Sequence, residues 1–261
     1  MKKIFTKAAV ICTFILFSAG ISSSYAQSAM ASAGTYDDGD YVVKLNLLAL
    51  PLNNFSFQFE RAIGDKTSVG LGLRFMPKSG IPLSGTIESL VDDPEAWNDL
   101  QHFKTGNIAF TPEVRFYLGQ GVFRGFYVAP FARYSRYSAE LPVSFDVDDV
   151  NGNTVTQTLP LSGNMTTLTG GVLLGAQWKL SNLIYLDWSI LGPQYGGSSG
   201  NIVGKRSLSE DEQNALRESL VELEDLPLVT SSYSVDGNGA TVDFKGPWAG
   251  VRSSLSIGFR F

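Results

Sequence analysis

The sequence predicts an all-β fold, an eight-stranded antiparallel up-and-down transmembrane β-barrel with short helices in its extracellular loops. Three observations support this prediction. Eight segments alternate between apolar and polar residues, the connections between them alternate between short and long, and the first residues follow the pattern of a secretory signal. A tilted strand needs about 9–11 residues to cross a membrane, whereas strands of soluble sheets centre on about 5–6. Most of the eight segments have the longer length, which favours a membrane barrel over a soluble sandwich.

Residues 1–26 are predicted to be a signal peptide that is cleaved near Ala26. Basic residues precede an apolar stretch from Ala8 to Ile21, and Ser24-Tyr25-Ala26 supplies the small residues of a cleavage site. Because the apolar stretch is shorter than the ~20 residues of a spanning helix, cleavage is favoured over an uncleaved anchor. The only cysteine, Cys12, would leave with the signal, so the mature chain would carry no disulfide.

The eight alternating segments each present one apolar face, predicted to contact lipid, and one polar face, predicted to line the lumen. A short periplasmic segment, residues 27–40, precedes them, and the barrel with its loops occupies residues 41–261. The segments are Tyr41–Leu50, Phe55–Ile63, Thr67–Met76, Ile108–Leu118, Gly125–Tyr137, Thr167–Leu180, Leu183–Gln194 and Ala249–Phe261.

The last segment ends on an aromatic residue. Its apolar face includes Phe259 and Phe261, and it resembles the closing strand of bacterial outer-membrane barrels, in which a terminal Phe recurs. This resemblance implies that the two aromatics form a membrane-insertion signal, with the barrel-assembly machinery and outer-membrane lipids as partners. We expect the segment to pair with Tyr41–Leu50 and so remove the last free edge of the sheet.

The connections fall into two sets, and this division predicts the topology. If the chain starts on the periplasmic side, every short link but the first falls on that side and every long loop falls outside, as is typical of outer-membrane barrels. The periplasmic links are residues 64–66, 119–124 and 181–182. The extracellular loops are residues 77–107, 138–166 and 195–247, together with the short first connection at 51–54.

Two prolines fit the predicted strands poorly. Pro112 and Pro130 lie inside alternating segments, and proline cannot donate a hydrogen bond to a sheet. Because a closed barrel has no free edge for them, we expect a bulge or a locally missing hydrogen bond at each.

A lumen enclosed by eight strands is wide enough for side chains to fill it or for one small ligand. Charges of both signs face it by alternation, and buried charges are costly unless they pair. The simplest interpretation is a packed polar plug, and the alternative is a narrow ion path or a cluster that binds an anion. The predicted lumen-facing charged residues are Lys44, Glu60, Arg74, Glu113, Arg115, Arg133, Lys179, Asp187, Arg252 and Arg260.

The long loops contain short helix and hairpin signals. Asp93-Pro94 begins a helical turn that includes Trp97, and Ser209 with Glu212 forms a capping box before leucines at helical spacing. The apolar face of this second helix is predicted to pack on the rim or on neighbouring loops, and the alternative is a lid or partner-binding face. The candidate interaction residues of the loops are Trp97, Leu216, Leu220 and Leu223. The runs around Asn151-Gly152 and Asp236–Gly239 predict two hairpins, the first of which would extend the fifth and sixth strands as a ribbon.

Charge and composition argue against several function classes. The formal net charge is −5, and loss of the three signal lysines makes it −8, which argues against nucleic-acid binding. The only histidine, His102, lies in a loop without the spacing of a hydrolytic triad, so we expect no enzyme activity. The acidic run from Asp146 to Asn151 does not match the ligand spacing of a helical calcium loop. We therefore expect neither a metal nor another cofactor.

Several stretches together resemble a bacterial outer-membrane β-barrel family of unknown function with a small, OmpA-like barrel. They are Leu45–Leu50, Phe57–Arg61, Thr111–Leu118, Gly125–Phe131 and Ile190–Gly196. The resemblance covers most of the mature chain, and it implies the fold and the bacterial outer membrane as location. Its motifs are structural, so it assigns no functional residue.

The predicted role is that of a monomeric structural or surface-interaction protein with a filled polar lumen, whose loops contact an extracellular partner. A small-ligand or lipid-binding barrel, or a narrow channel, is the alternative. A membrane-embedded hydrolase is the least favoured.

Overall fold

The computed structural model describes residues 39–80, 82, 101–148, 154–221 and 229–261 of the chain. The described residues form one antiparallel sheet that closes on itself, and the predicted all-β barrel fold is confirmed. The strands are β1 (Tyr41–Asn46), β2 (Phe55–Gly64), β3 (Thr67–Gly80), β4 (Lys104–Tyr117), β5 (Gly125–Asp148), β6 (Thr154–Lys179), β7 (Ile184–Lys205), β8 (Thr230–Asp236) and β9 (Gly239–Arg260). A 3₁₀ helix (Leu50–Leu52) links β1 to β2, and helix α1 (Glu210–Val221) precedes β8.

The ring closes between the first and last strands, as predicted for the terminal segment. Val43 of β1 lies opposite both Phe59 of β2 and Phe259 of β9. Tyr41 and Phe261 exchange two backbone hydrogen bonds of 2.9 and 3.1 Å, and their rings stack at 5.9 Å. Eight strands, β1–β7 and β9, therefore complete the ring.

The ninth strand, β8, is an addition to the predicted set. It pairs with residues 239–245 of β9, on the same edge whose other end pairs with β1 through residues 256–260. The turn between β8 and β9 confirms the hairpin predicted at Asp236–Gly239, where the Asn238 amide donates to Asp236 Oδ1 at 2.7 Å. Residues Thr230–Asp236, which lie in the predicted loop 195–247, thus belong to the sheet.

The two faces of the sheet differ as the alternation predicts. Large apolar side chains on the outside are 36–68 % exposed, and polar side chains on the inside are mostly buried. Representative outward residues are Phe57, Leu73, Phe110, Val172, Trp178 and Val251. One bulge in β7 changes the phase, because the pairing shifts between Ser189 and Gly192 and leaves Ile190 and Leu191 both exposed.

Pro112 and Pro130 lie on the same seam of the barrel, between β4 and β5. Pairing there is interrupted, since Glu113 lies opposite Phe131 but neither proline has a partner across this seam. The register is unchanged on either side of the gaps. The expectation of locally missing bonds is therefore confirmed, and the prolines are accommodated without a register shift.

The wall of the barrel is high on one side and low on the other. Strands β5 and β6 pair as far as Asp148 and Thr154, which confirms the predicted ribbon, although its turn at Asn151-Gly152 lies outside the described residues. β7, β9 and β8 continue the high wall, whereas β1 already ends at Asn46 and not at the predicted Leu50. Among the described strands, none pairs with residues 246–254 of β9 on the edge between β1 and β8.

Helix α1 begins as the capping box predicts. The Ser209 amide donates to Glu212 Oε2 at 2.8 Å, and the Glu212 amide donates to Ser209 Oγ at 3.3 Å. No helix within the described ranges is long and apolar enough to span a membrane. The signal peptide, the helical turn predicted at Asp93-Pro94 and the residues Trp97 and Leu223 lie outside the described residues.

Candidate functional site in the barrel lumen

The middle of the lumen contains a network of ion pairs contributed by four strands. Its members, Lys44, Glu60, Glu113, Arg115 and Asp187, are named here the central ion-pair network. Lys44 bonds both Glu60 and Asp187, and Arg115 bonds Asp187 at 2.5 Å and Glu113 at 2.6 Å. Glu60 and Arg115 are 0 % exposed. Each residue occupies an inward position of its strand, so alternation along β1, β2, β4 and β7 brings the five together.

Neutral polar side chains satisfy the remaining atoms of this network. Tyr117 donates to Glu60 Oε1 at 2.6 Å, and Tyr127 donates to Asp187 Oδ1 at 2.7 Å. Gln58 bridges Arg115 and Glu113, and Gln177 accepts from Lys44 at 2.8 Å. Such additional hydrogen bonds offset the desolvation of buried charges. The charged groups of the network are therefore hydrogen-bonded, whereas the buried Gln177 Nε2 has no partner among the described residues.

An aromatic stopper, Phe123 with the rings around it, closes the lumen below the network, at the end where β1 begins, β9 ends and the short links lie. The β4–β5 turn folds inward and places Phe123, 0 % exposed, edge-on against Tyr117 and Tyr185. The guanidinium of Arg260 lies 5.0 Å from the centre of the Phe123 ring. Phe123 has φ 64°, a left-handed conformation that is rare for a bulky residue. The surrounding contacts hold it there, since the neighbouring Val122 amide also bonds Asp65 of the β2–β3 turn at 2.7 Å.

Above the network the lumen becomes cationic. Arg74, Arg133 and Arg252, named here the upper arginine cluster, line one cavity of about 40 Å³. Arg252 donates two bonds of 3.3 Å to Glu113 and lies 4.4 Å above the Phe131 ring. Arg133 is 5 % exposed and donates to Ser135 Oγ at 3.1 Å.

The structure thus sorts the ten predicted lumen-facing charges into three groups. Five form the central ion-pair network, and three form the upper arginine cluster above it. Lys179 and Arg260 lie at the lower end, where Arg260 donates to Gly39 O at 2.6 Å and to Tyr185 Oη at 2.9 Å.

Sequence reasoning missed several residues on which the site depends. Four of them are neutral polar residues at inward positions, which the alternation predicts, but the predicted lumen set contains charged residues only. They are Gln58, Gln177, Tyr117 and Tyr127. Phe123 lies in a turn, where no periodic pattern indicates which way a side chain points.

The loop candidates are only partly described. Leu220 of α1 is buried and Leu216 is half-buried, and the helix lies against β8, where Arg217 donates to Val235 O at 2.9 Å. At the rim, Lys78 pairs with Glu140 at 2.6 Å, and this hydrogen bond lowers the pKa of the Glu140 carboxyl. His102 is exposed just before β4. Within the described residues, no group of three or more His, Cys, Asp or Glu side chains is arranged to hold a metal ion.

The family described as "Protein of unknown function (DUF3575)" matches residues 12–195, well over half of the chain. No curated protein matches the chain.

Solved structures of bacterial outer-membrane barrels are similar in fold. Acinetobacter baumannii CarO2 has 12 % identity and a TM-score of 0.43, over 86 % of this chain and 98 % of its own. The N-terminal barrel domain of Pseudomonas aeruginosa OprF has 10 % identity and a TM-score of 0.29, over 86 % and 98 %. The Escherichia coli outer membrane protease OmpT has 10 % identity and a TM-score of 0.34, over 85 % and 94 %. At these values the likeness carries no activity, ligand or partner over to this chain.

Proposed function

Because the chain belongs to the DUF3575 family of proteins of unknown function, we propose a role from its own geometry: a sealed outer-membrane anchor that displays structure at the bacterial cell surface. The barrel holds the protein in the membrane, and the high wall and loops form the surface that meets an extracellular partner. The protein acts as a monomer and not as an enzyme.

The observation that carries this proposal is the filled lumen. The central ion-pair network crosses the middle of the barrel, and Phe123 packs beneath it. An ion passing through would have to separate buried, hydrogen-bonded ion pairs, which costs several kcal/mol or more. A steady conduction path through these side chains is therefore disfavoured.

The outer face supports membrane insertion. Exposed apolar side chains surround the ring from Ile63 and Leu118 near the short turns to Phe75 and Ile108 near the long loops. Exposed apolar area of this extent is rare on soluble monomers and marks a surface that another apolar phase covers. Outer-membrane lipids supply that phase, and export by a signal cleaved near Ala26 with assembly by the barrel-assembly machinery would bring the chain there.

The high wall supports the surface role. β5–β7, β8 and β9 continue above the ring as a twisted sheet, and α1 lies against β8. A barrel that needs only to stay in the membrane has no use for strands of 22–26 residues, since about 9–11 span the bilayer. The added length is available for contacts with a partner.

Conductance measurements test the seal. The purified mature protein is added to a planar bilayer, with a general porin as positive control for insertion. We expect no steady current after insertion, which is verified by protection of the protein from protease. Steady openings of the unmodified protein would contradict the sealed barrel and favour the narrow channel.

Cysteine labelling on intact cells tests location and orientation. Gly237→Cys lies in the β8–β9 turn, where an added Cβ would make only an ordinary 3.7 Å contact, and Lys66→Cys lies in the exposed β2–β3 turn at the opposite end. A membrane-impermeant maleimide should label Gly237→Cys on intact cells and Lys66→Cys only after the outer membrane is permeabilised. The opposite pattern would reverse the proposed orientation. If neither cysteine is labelled on intact cells, surface display is excluded.

A further inference from the structure

We propose that the upper arginine cluster is a binding site for a phosphate group, either free phosphate or the headgroup of an amphiphile. The site consists of Arg74 of β3, Arg133 of β5 and Arg252 of β9, around the cavity above the central ion-pair network. This inference goes beyond the sealed anchor, because a barrel can be closed below and still hold a ligand above.

The described lumen contains more cations than acids. Glu60 and Asp187 pair with Lys44 and Arg115, and Glu113 pairs with Arg115 at 2.6 Å before it meets Arg252 at 3.3 Å. Within the described part of the chain, no carboxylate forms an ion pair with Arg74 or Arg133. Arg133 instead shares its cavity with two further guanidinium groups, those of Arg74 and Arg252, and like charges repel each other.

Such an arrangement is unfavourable unless an anion completes it. Like charges held together in a partly buried site raise the free energy of the folded state, because arginine cannot shed its proton as lysine can. Three guanidinium groups on three different strands are already in place for one ligand, so little ordering remains to be done when it binds. Arg252 is further fixed by its stacking on Phe131.

The cavity wall is polar and can donate hydrogen bonds to an anion. Besides the arginines, the polar residues that line it are Asn46, Ser56, Thr111, Ser253 and Ser254, of which Ser253 already donates to Ser189 O at 3.1 Å, and none of the lining residues is acidic. Hydroxyl and amide groups can donate to oxygen atoms at the same time as guanidinium groups. A volume of about 40 Å³ holds a few water-sized groups, which suits one small oxyanion. Phosphate fits better than a halide, since planar guanidinium groups bind its oxygens in pairs.

The position of the cavity gives a ligand access to it. The cavity lies where the wall is low, between the end of β1 at Asn46 and the edge of β9 at Ser253, which has no partner among the described strands. Leu48, Leu50 and Phe55 are exposed beside it on the outer surface. A headgroup could therefore enter from the side while its chains remain on the apolar exterior, and free phosphate could enter from above.

Titration calorimetry of the full mature protein in an uncharged detergent tests the site. The probes are inorganic phosphate, dihexanoyl phosphatidic acid and, as the zwitterionic comparison, dihexanoyl phosphatidylcholine. We expect saturable binding that weakens at least about tenfold in Arg133→Gln and in Arg74→Gln, because each removes charge-assisted hydrogen bonds. The matched control is Arg136→Gln, which removes the same charge from the outer face of the same strand.

Each outcome decides the matter. Binding of both anions supports a site for phosphate as such, and binding of phosphatidic acid alone supports a headgroup site that also uses the exterior. The proposal is overturned if neither anion binds at millimolar concentration, if phosphatidylcholine binds equally well, or if Arg136→Gln loses as much affinity as Arg133→Gln.

Thermal unfolding separates a ligand site from a structural role. Without phosphate, Arg133→Gln should unfold at the same or a higher temperature than the unmodified protein, because the variant relieves repulsion. Phosphate should raise the unfolding temperature of the unmodified protein and leave that of the variant unchanged. If Arg133→Gln unfolds at a lower temperature with and without phosphate, Arg133 supports the barrel wall. The same measurement is then made on Arg74→Gln. If phosphate raises the unfolding temperature of Arg74→Gln as much as that of the unmodified protein, the proposal fails.

Discussion

The lower and upper parts of the lumen are built by the same strands and yet differ in charge and packing. In the central ion-pair network each cation forms ion pairs with at least two acids, and aromatic rings pack below it. In the upper arginine cluster, Arg252 is the only member with an ion pair to a described carboxylate, that of Glu113, and the three cations surround a cavity. The difference lies in the acids: Glu60 and Asp187 belong to the lower part, and Glu113 marks the border.

The comparison separates what stabilises the barrel from what is available for a ligand. A hydrogen-bonded network of buried charges holds neighbouring strands in one arrangement, although a barrel with apolar side chains at the same positions could be equally stable. An unbalanced cluster does not help the empty protein to fold. Unfavourable charge repulsion of this kind is typical of binding sites, where a protein is less stable than it could be because the site serves its function.

The largest effect should come from breaking the lower part at Asp187. Asp187→Ala leaves Lys44 and Arg115 without one of their shared partners, and removal of one member of a buried ion pair costs about 3–5 kcal/mol. The free energy of unfolding, measured by urea titration in detergent micelles, should fall by that amount. The control is Glu140→Gln, which breaks an exposed pair with Lys78 and should leave the urea midpoint unchanged. Equal stability of Asp187→Ala and the unmodified protein would mean that the network does not hold the barrel.

The next effect concerns the stopper. Phe123→Ala removes a fully buried ring, and such truncations cost about 3 kcal/mol or somewhat more. Phe123→Gly should be less destabilising than Phe123→Ala by roughly 1 kcal/mol, because glycine adopts the φ of 64° without strain. Urea titration of both variants measures the difference.

Phe126→Ala provides the matched comparison, since Phe126 lies three residues away but is 62 % exposed on the outer face. Its loss should cost clearly less, because detergent or lipid covers the vacated surface. If Phe123→Gly is the less stable of the two stopper variants, the left-handed backbone is not a source of strain.

The sequence predicts which face each charge occupies, but not how the charges divide along the barrel axis. Alternation along β1, β2, β4 and β7 is enough to point Lys44, Glu60, Arg115 and Asp187 inward. Their relative heights depend on the stagger between strands, which the period of two does not encode. The separation of Arg74 and Arg133 from the acids therefore became visible only with the pairing of Gly72 with Thr111 and of Phe110 with Tyr134.

Features outside the regular strands were the least predictable. Phe123 points inward because its turn adopts a left-handed conformation at a residue type that rarely does so. The run Asp236–Gly239 predicts the β8–β9 hairpin, but it does not predict that β8 pairs with the same edge of β9 as β1. Such contacts between distant parts of the chain leave no local signal.

A smaller effect should distinguish the packing of the two parts. An added Cβ at Gly171, at the level of Phe131, would clash with the backbone carbonyl oxygen of Pro193 and lie 2.8 Å from Phe131 Cζ, so Gly171→Ala should cost about 2–3 kcal/mol through overpacking. At Gly72, beside the cavity, the nearest atom is Thr111 Cβ at 3.4 Å, and Gly72→Ala should be close to neutral. Urea titration of the pair tests the contrast. Equal destabilisation by both would mean that the upper part is packed as tightly as the border layer.

The smallest effect lies at the rim, where the contacts are exposed. The backbone amide of Ser209 bonds the Glu212 carboxylate and lowers its pKa below the ordinary value of 4.5. Since the pKa is lower in the folded helix, the stabilisation is fully present above that ordinary value and is lost as the pH falls through the folded pKa. For so exposed a group we expect only a few tenths of a kcal/mol. In NMR spectra of the micellar protein, amide signals of α1 should therefore weaken between about pH 5 and about pH 3. The Glu212→Gln variant should show less helix at neutral pH and little further change on acidification. If the amide signals of α1 decline equally in Glu212→Gln and in the unmodified protein, the pH sensitivity lies in another group. If Glu212→Gln lowers the free energy of unfolding as much as Asp187→Ala does, buried and exposed carboxylates contribute equally to stability.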